Sequence, residues 1–170
     1  RAPAPCNQPC TSASDTPPTF NDRATTSATK TQLDRAIQDY DQAVKLNGGY
    51  AIAFYNRGNA KYDKGDYTTA VADYDSAIKL NPADTLALNN RGNANANRRE
   101  FDRAIADLGQ AIKIDPSYAQ GYNDRGVAYA AKGDVNRALA HFEPAVTFDS
   151  RNSIAYFNAG PAFPHNHCAH

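Results

Sequence analysis

Carboxylates are the side chains of this sequence that catalysis would most readily use, and they recur at regular intervals. Asp66, Asp73 and Asp75 belong to a pattern that returns along the chain. Carboxylates that cap helices, form ion pairs or keep the surface soluble are needed in every repeat. A catalytic site, by contrast, needs one set of residues at one place. There is no glycine-rich phosphate loop, and no histidine lies near a plausible nucleophile in the sequence. We therefore expect no catalytic residues, no cofactor and no enzymatic activity.

Three of the four histidines and a cysteine lie within the last six residues, at His165, His167, Cys168 and His170. Imidazole and thiolate are ligands for zinc or copper. A short terminal cluster, however, offers no closed four-ligand cage supported by further hydrogen bonds. We expect a loose site or a cloning remnant here, and no metal centre.

Cys6 and Cys10 lie four residues apart, in a segment (1–19) rich in Pro, Ser and Thr. Such a segment has too little apolar surface to offset the entropy of ordering, so we expect a flexible tail. The spacing fits a small disulfide loop in an exported protein, with Cys168 left for intermolecular pairing. The alternative is three unrelated thiols. A periplasmic or extracellular location is slightly favoured over the cytoplasm.

Eighteen basic residues balance eighteen acidic ones in the 170-residue chain. This balance gives no electrostatic drive toward nucleic acid or an anionic membrane. No run approaches the roughly 18 apolar residues of a spanning helix. We therefore expect a polypeptide partner, with neither nucleic-acid binding nor membrane insertion.

Glycines 34 residues apart reveal an internal repeat: Gly58, Gly92, Gly126 and Gly160. Alanines follow the first three glycines at fixed intervals: Ala70, Ala104 and Ala138, then Ala77, Ala111 and Ala145. Large residues also return in register: Phe54, Leu88 and Tyr122, then Tyr74, Leu108 and Phe142. Two antiparallel helices pack closely where one presents a small side chain. The pattern therefore predicts helical hairpins with large residues packed against glycine and alanine.

Turn residues divide each unit. Gly65-Asp66 and Gly133-Asp134 suit a left-handed helix end followed by a capping carboxylate. Asn81-Pro82 and Asp115-Pro116 end the second helix, because proline cannot continue the hydrogen-bond ladder. One unit is therefore helix, turn, helix over 34 residues.

With these features the sequence resembles the tetratricopeptide repeat family, of a bacterial type. The segment at 51–82, AIAFYNRGNAKYDKGDYTTAVADYDSAIKLNP, matches the family pattern almost place for place, and 85–116 and 119–150 follow it. The resemblance implies an all-α fold, an α-solenoid of antiparallel helix-turn-helix repeats with three full repeats and a half-repeat at each end. The expected organisation is a tail at 1–19, a domain at 20–160 (degenerate repeat 20–50, full repeats 51–84, 85–118 and 119–152, partial repeat 153–160) and a tail at 161–170.

The ends depart from the family pattern. Residues 33–47 read as a good second helix, but their partner at 20–32 is threonine-rich and should be frayed. A first helix beginning at Ser153 is cut short by Pro161. Pro144 inside a helix should cost roughly 3 kcal/mol or force a kink. We expect the last hairpin to be the least stable.

An arginine stands where the family more often has leucine in each full repeat: Arg57, Arg91 and Arg125. Asp73 and Asp107 follow the first two by sixteen residues, and Arg23 has Asp39 at the same interval. We predict ion pairs across the hairpin, because an unpaired guanidinium near a helix contact is costly. Arg125 has His141 instead. Alternatively, these arginines hold the carboxylates of a partner.

The resemblance also implies a binding surface, on the concave side formed by the first helices. The family's peptide-contacting asparagine corresponds to Asn56, Asn90 and Asn158, with Asp124 interrupting the series. Neighbouring groove positions are Tyr55, Asn59, Tyr62, Asn89, Asn93, Asn97 and Asn123. Amides both donate and accept, so they suit a peptide backbone of almost any sequence. A plain solvated surface is the alternative. Chaperone tails are not the expected partner, since the lysines they need are absent.

The sequence therefore predicts a scaffold that binds an extended peptide or partner protein in its concave groove. A second function is self-assembly, because the two terminal half-repeats are complementary halves of one hairpin. Joined between chains, they would form a head-to-tail ring or filament.

Overall fold

The computed structural model describes residues 17–18, 30–151 and 153–160. Eight helices follow one another between Lys30 and Ala159, and no strand occurs in the described residues. They are α1 (Lys30–Leu46), α2 (Ala51–Asp63), α3 (Tyr67–Leu80), α4 (Thr85–Asn97), α5 (Phe101–Ile114), α6 (Ala119–Ala131), α7 (Val135–Phe148) and α8 (Ser153–Ala159). The expectations for the cysteines, the histidine cluster, Arg23 and most of 20–32 lie outside the described residues.

Each helix packs most extensively against its neighbours along the chain. The pairs α2–α3, α4–α5 and α6–α7 form three hairpins, and successive hairpins stack through α3–α4 and α5–α6 contacts. Helix α1 packs on α2 at one end, and α8 packs on α7 at the other. The predicted all-α solenoid, with three hairpins and a half-repeat at each end, is confirmed.

Glycine marks the crossing point of each hairpin. A Cβ atom on Gly58 would lie 2.7 Å from the Tyr74 ring, and one on Gly92 would lie 2.8 Å from Leu108. The predicted alanines lie in the same interface and are all buried: Ala70, Ala77, Ala104, Ala111, Ala138 and Ala145. Small residues on one helix therefore admit a large side chain from its partner, as the repeat pattern predicts.

The turns inside the first and third hairpins have the predicted geometry. Gly65 and Gly133 take φ values of +84° and +91°. Asp66 accepts a hydrogen bond from the backbone N–H of Thr69, which caps α3. Hydrogen bonds from Thr69 also hold the pKa of Asp66 below its ordinary value. These turns direct each second helix back along the first.

The helix ends also follow the sequence. Helices α3 and α5 stop before the Asn81-Pro82 and Asp115-Pro116 pairs. Helix α7 continues through Pro144 to Phe148, so this proline does not end the helix. The first helices of successive repeats are α2, α4, α6 and α8. Each therefore begins one repeat length after the one before it.

Candidate functional site

Two arginines join the helices of their own hairpins. Arg57 donates from Nε to Asp73 Oδ2 at 2.9 Å and from Nη2 to Oδ1 at 2.5 Å. Arg91 holds Asp107 in the same way, at 3.0 Å and 2.6 Å. Such a two-bond arrangement matches the planar guanidinium to the planar carboxylate. The sixteen-residue spacing thus corresponds to a contact across the hairpin.

Each of these arginines also holds an acid of the preceding unit, which the sequence analysis missed. Arg57 Nη1 lies 2.6 Å from Asp41 Oδ1, and Arg91 Nη1 lies 2.7 Å from Asp75 Oδ1. Burial acts to lower the pKa of Arg57, but its hydrogen bonds to Asp73 and Asp41 and their charges outweigh this and raise it. The sequence does contain a signal for these two contacts, because Asp41 and Asp75 precede Arg57 and Arg91 by sixteen residues.

The third arginine differs. His141 stands on α7 where the other hairpins carry an aspartate, and Nδ1 of its ring lies 2.9 Å from the carbonyl oxygen of Arg137. Nε of Arg125 is buried and has no hydrogen-bond partner among the described residues. This repeat therefore lacks the ion pair found in the first two.

Polar side chains connect the first helices α2 and α4. Asn90 donates to the Tyr55 hydroxyl at 3.2 Å and to Asn59 Oδ1 at 2.9 Å. Asn97 donates to the Tyr62 hydroxyl at 2.9 Å. The predicted groove residues of these two helices therefore lie together and bond to one another.

The same kind of contact continues along α4, α6 and α8. Asp124, which interrupts the asparagine series, accepts hydrogen bonds from Asn89 at 3.0 Å and Asn93 at 2.7 Å. Asn158 donates to Asn123 Oδ1 at 3.1 Å. Asn89 and Asn123 are buried, with exposed fractions of 3% and 4%. These two amides therefore bridge helices beneath the surface, and Asp124 serves them as an acceptor.

A polar cleft of about 300 Å³ opens between α2 and α4. Its lining consists of Asn59, Tyr62, Asp63, Tyr74, Asn90 and Asn93. The Tyr74 hydroxyl donates to Asn59 Oδ1 at 2.8 Å, which fixes that amide at the base of the cleft. Burial raises the pKa of Tyr62, so its hydroxyl stays protonated and remains a donor at neutral pH. Asn56 lies on α2 and is partly buried.

The chemistry of this surface is hydrogen bonding by amides and hydroxyls, together with the carboxylates of Asp63 and Asp124. No cluster of three metal-ligating side chains occurs in the described part of the chain. Over the same residues, no helix has both the length and the apolar character needed to cross a membrane.

Comparison with known families decides the identity of the fold. A family model described as tetratricopeptide repeat matches the chain at residues 22–85, 55–119 and 89–153. The chain belongs to the tetratricopeptide repeat family. No curated protein sequence matches it.

Solved tetratricopeptide structures share this architecture. A MamA structure is 24% identical, with a TM-score of 0.75, and the match covers 82% of this chain and 80% of that protein. MamA from Desulfovibrio magneticus RS-1, from residue 41 onward, is 22% identical, with a TM-score of 0.73 and coverages of 81% and 78%. The second tetratricopeptide domain of human RPAP3, in complex with the HSP70 peptide SGPTIEEVD, is 30% identical, with a TM-score of 0.62 and coverages of 64% and 91%.

Proposed function

We propose that this protein is an interaction scaffold that holds an extended polypeptide in the groove of its first helices. The observation that carries the proposal is the polar cleft between α2 and α4, where Asn59, Asn90 and Asn93 converge with Tyr62. The ordered asparagines form a preorganised surface, so little side-chain entropy is lost on binding. We assign no catalytic role, because the recurring carboxylates that chemistry could use serve the fold: Asp66 caps a helix and Asp73 pairs with Arg57.

In this proposal the side chains of the cleft divide into two roles. Asn90 commits its amide hydrogens to Tyr55 and Asn59, so its carbonyl oxygen is the atom that accepts a peptide N–H. Tyr62 supplies a flat apolar face. Asn89 and Asn123 are buried and position the helices. The result is affinity for peptide backbone with modest selectivity for side chains.

The human RPAP3 domain binds an acidic HSP70 peptide, and a structure of the first tetratricopeptide unit of Spaghetti (RPAP3) holds the HSP90 peptide SRMEEVD. We do not expect such peptides in this groove. The places that carry lysine in relatives with a carboxylate clamp hold Tyr55, Asn89 and Asn123. The proposed ligand is therefore an extended segment recognised through its backbone.

A peptide-display selection with a random library tests the proposal. Peptides that bind the wild-type protein should lose roughly three- to tenfold in affinity for Asn93→Ala, since each net hydrogen bond contributes about 0.5–1.5 kcal/mol. Asn136→Ala changes an exposed asparagine on α7, outside the groove, and should leave affinity unchanged. Equal affinity of all selected peptides for the two variants would contradict the proposed groove.

A second candidate function is head-to-tail self-assembly, which is favoured by the apolar surface at the C-terminal end. Ile154 and Phe157 of α8 are 64% and 86% exposed, and Phe148 of α7 is 50% exposed. In the described part of the chain no second helix follows α8, and α8 complements the second helix α1 at the other end. Such a contact is heterologous and need not close, so it forms a ring or a filament.

Light scattering behind a sizing column distinguishes the two functions. The scaffold keeps one mass over a hundredfold dilution series. Self-assembly gives a mass that grows with concentration, and Phe157→Ser should abolish that growth. Repeating the series with reductant shows whether cysteines contribute to the assembly.

A further inference from the structure

The guanidinium of Arg125 lacks both of the carboxylates that its equivalents hold. The repeat period places Gly109 where the preceding repeat has Asp75, and His141 where it has Asp107. Both acidic partners are therefore replaced at one arginine. Among the described residues, Nε of Arg125 has no hydrogen-bond partner.

The geometry at Gly109 shows where a carboxylate would lie against Arg125. A Cβ atom on this glycine would lie 3.3 Å from Arg125 Cζ and 3.4 Å from Nη2. The guanidinium thus lies directly against the backbone of α5. In the first two repeats the carboxylate of Asp41 or Asp75 approaches Nη1 from this preceding second helix, at 2.6 Å or 2.7 Å.

Arg137 and His141 lie in the surroundings of Arg125. The Cζ atoms of Arg125 and Arg137 lie 5.7 Å and 4.8 Å from the centre of the Tyr129 ring. Arg137 is bonded to Asp134, and the His141 ring lies 5.1 Å from Tyr129. Burial lowers the pKa of His141, and the charges of Arg125 and Arg137 lower it further. A neutral imidazole leaves the charge of Arg125 uncompensated.

We propose that Arg125 binds a carboxylate from an acidic segment of a partner polypeptide, on the face between the second helices α5 and α7. The ligand class follows from the other two repeats, whose arginines hold carboxylates at the equivalent places. The equivalent carboxylates of the first two repeats, Asp41 and Asp75, are 51% and 56% exposed, and Arg125 itself is partly exposed. This face belongs to the second helices and is separate from the groove of the first helices.

Titration of the protein with acetate, at constant ionic strength maintained with chloride, tests the proposal by NMR of the arginine Nε–H groups. The Arg125 signal should shift and saturate, whereas the Arg91 signal should stay in place because its guanidinium already holds two acids. Tetraglutamate should bind more tightly than acetate, because it presents several carboxylates to the one guanidinium. Inorganic phosphate binding more tightly than tetraglutamate would overturn the assignment to a polypeptide.

Two variants provide the matched control. Gly109→Asp supplies the missing carboxylate within the chain and should abolish the acetate response of Arg125. Gln110→Asp adds the same charge to the exposed neighbouring position and should preserve that response. An unchanged response in Gly109→Asp, or equal shifts of Arg125 and Arg91 in the wild type, would overturn the proposal. Peptide binding in the groove is unaffected by either result, so the two proposals fail independently.

Discussion

At the scale of single residues, glycine at the helix crossings sets the distance between the two helices of a hairpin. The position of a Cβ atom on Gly92 is occupied by Leu108, and the carbonyl oxygen of Ala104 lies only 3.3 Å from it. A backbone atom cannot move as a flexible side chain does. The contact therefore requires glycine, although glycine is a poor residue for a helix interior.

We expect Gly92→Ala to lower the free energy of unfolding by about 1–2 kcal/mol, because the overpacking strain exceeds the gain in helix propensity. Urea denaturation followed by circular dichroism measures the change. Gly48→Ala is the control, since a Cβ atom there meets no atom within 4 Å. Equal stability of Gly92→Ala and wild type would show that the helices can separate freely.

The buried ion pairs are the second determinant at this scale. The side chain of Asp73 is only 5% exposed, and it neutralises Arg57 and also Lys61, whose Nζ lies 2.7 Å away. Removing the acid takes the carboxylate from Lys61 and leaves Arg57 with Asp41 alone, near a helix contact.

Asp73→Ala should therefore destabilise the protein by about 3 kcal/mol. Asp34→Ala, which removes an exposed acid paired with Lys64, should change stability by less than about 1 kcal/mol. Thermal unfolding of both variants gives the comparison. A small effect of Asp73→Ala would mean that the pair with Arg57 contributes no net stability.

At the scale of elements, the turn of the second hairpin contrasts with the other two. Arg99 has a φ of +63°, at the place where Gly65 and Gly133 stand in the first and third hairpins. A side chain in this left-handed region is strained. The N-cap Glu100 also makes no side-chain cap hydrogen bond, so this turn is the less well adapted one.

Arg99→Gly should stabilise the protein by about 0.5–1 kcal/mol, because it relieves the left-handed strain. Arg98→Gly is the matched control. Its backbone has φ −81°, where glycine gives no relief, so this change should be neutral or destabilising. Melting temperatures that move equally in both variants would contradict the strain at Arg99.

At the scale of the molecule, the hairpins form a linear array in which each unit contacts only its neighbours. Stability in such an array decreases toward an end that lacks a partner. Among the described residues, helix α8 packs mainly on α7, and Phe157 remains largely exposed. The centre, by contrast, has neighbours on both sides.

Hydrogen exchange should follow this gradient. The amides of α4 and α5 should exchange at least about a hundredfold more slowly than those of α8, because local opening at an end needs far less free energy than opening of the centre. Mass spectrometry of peptic fragments measures these rates. Uniform protection across all the helices would contradict a gradient of stability.

The architecture was predictable because each of its features leaves a local mark that recurs every 34 residues. Gly58 and Tyr74 mark a crossing point, and Gly65-Asp66 marks a turn. The strain at Arg99 was not predictable, because the residue departs from the glycine pattern while the backbone keeps the glycine conformation.

The site was harder to predict than the fold. Residue type alone does not distinguish an exposed amide from a buried one, so Asn89 was predicted to line the groove beside Asn90, although Asn89 is buried. The contact of Asp75 with Arg91 was not predicted, because the sixteen-residue interval was applied only in the forward direction from each arginine. The role of Asp124 as an acceptor for two asparagines requires the distance between α4 and α6, which the sequence does not provide.

The central claim is that a polypeptide binds along the first helices, and side-chain amide NMR tests it most directly. In the presence of a peptide selected from a random library, the NH2 signals of Asn59, Asn90 and Asn93 should shift and show contacts to the peptide backbone. Those of Gln110 and Asn136, on the second helices, should stay in place. Shifts confined to the second helices, or to the two ends of the array, would contradict a peptide-binding groove.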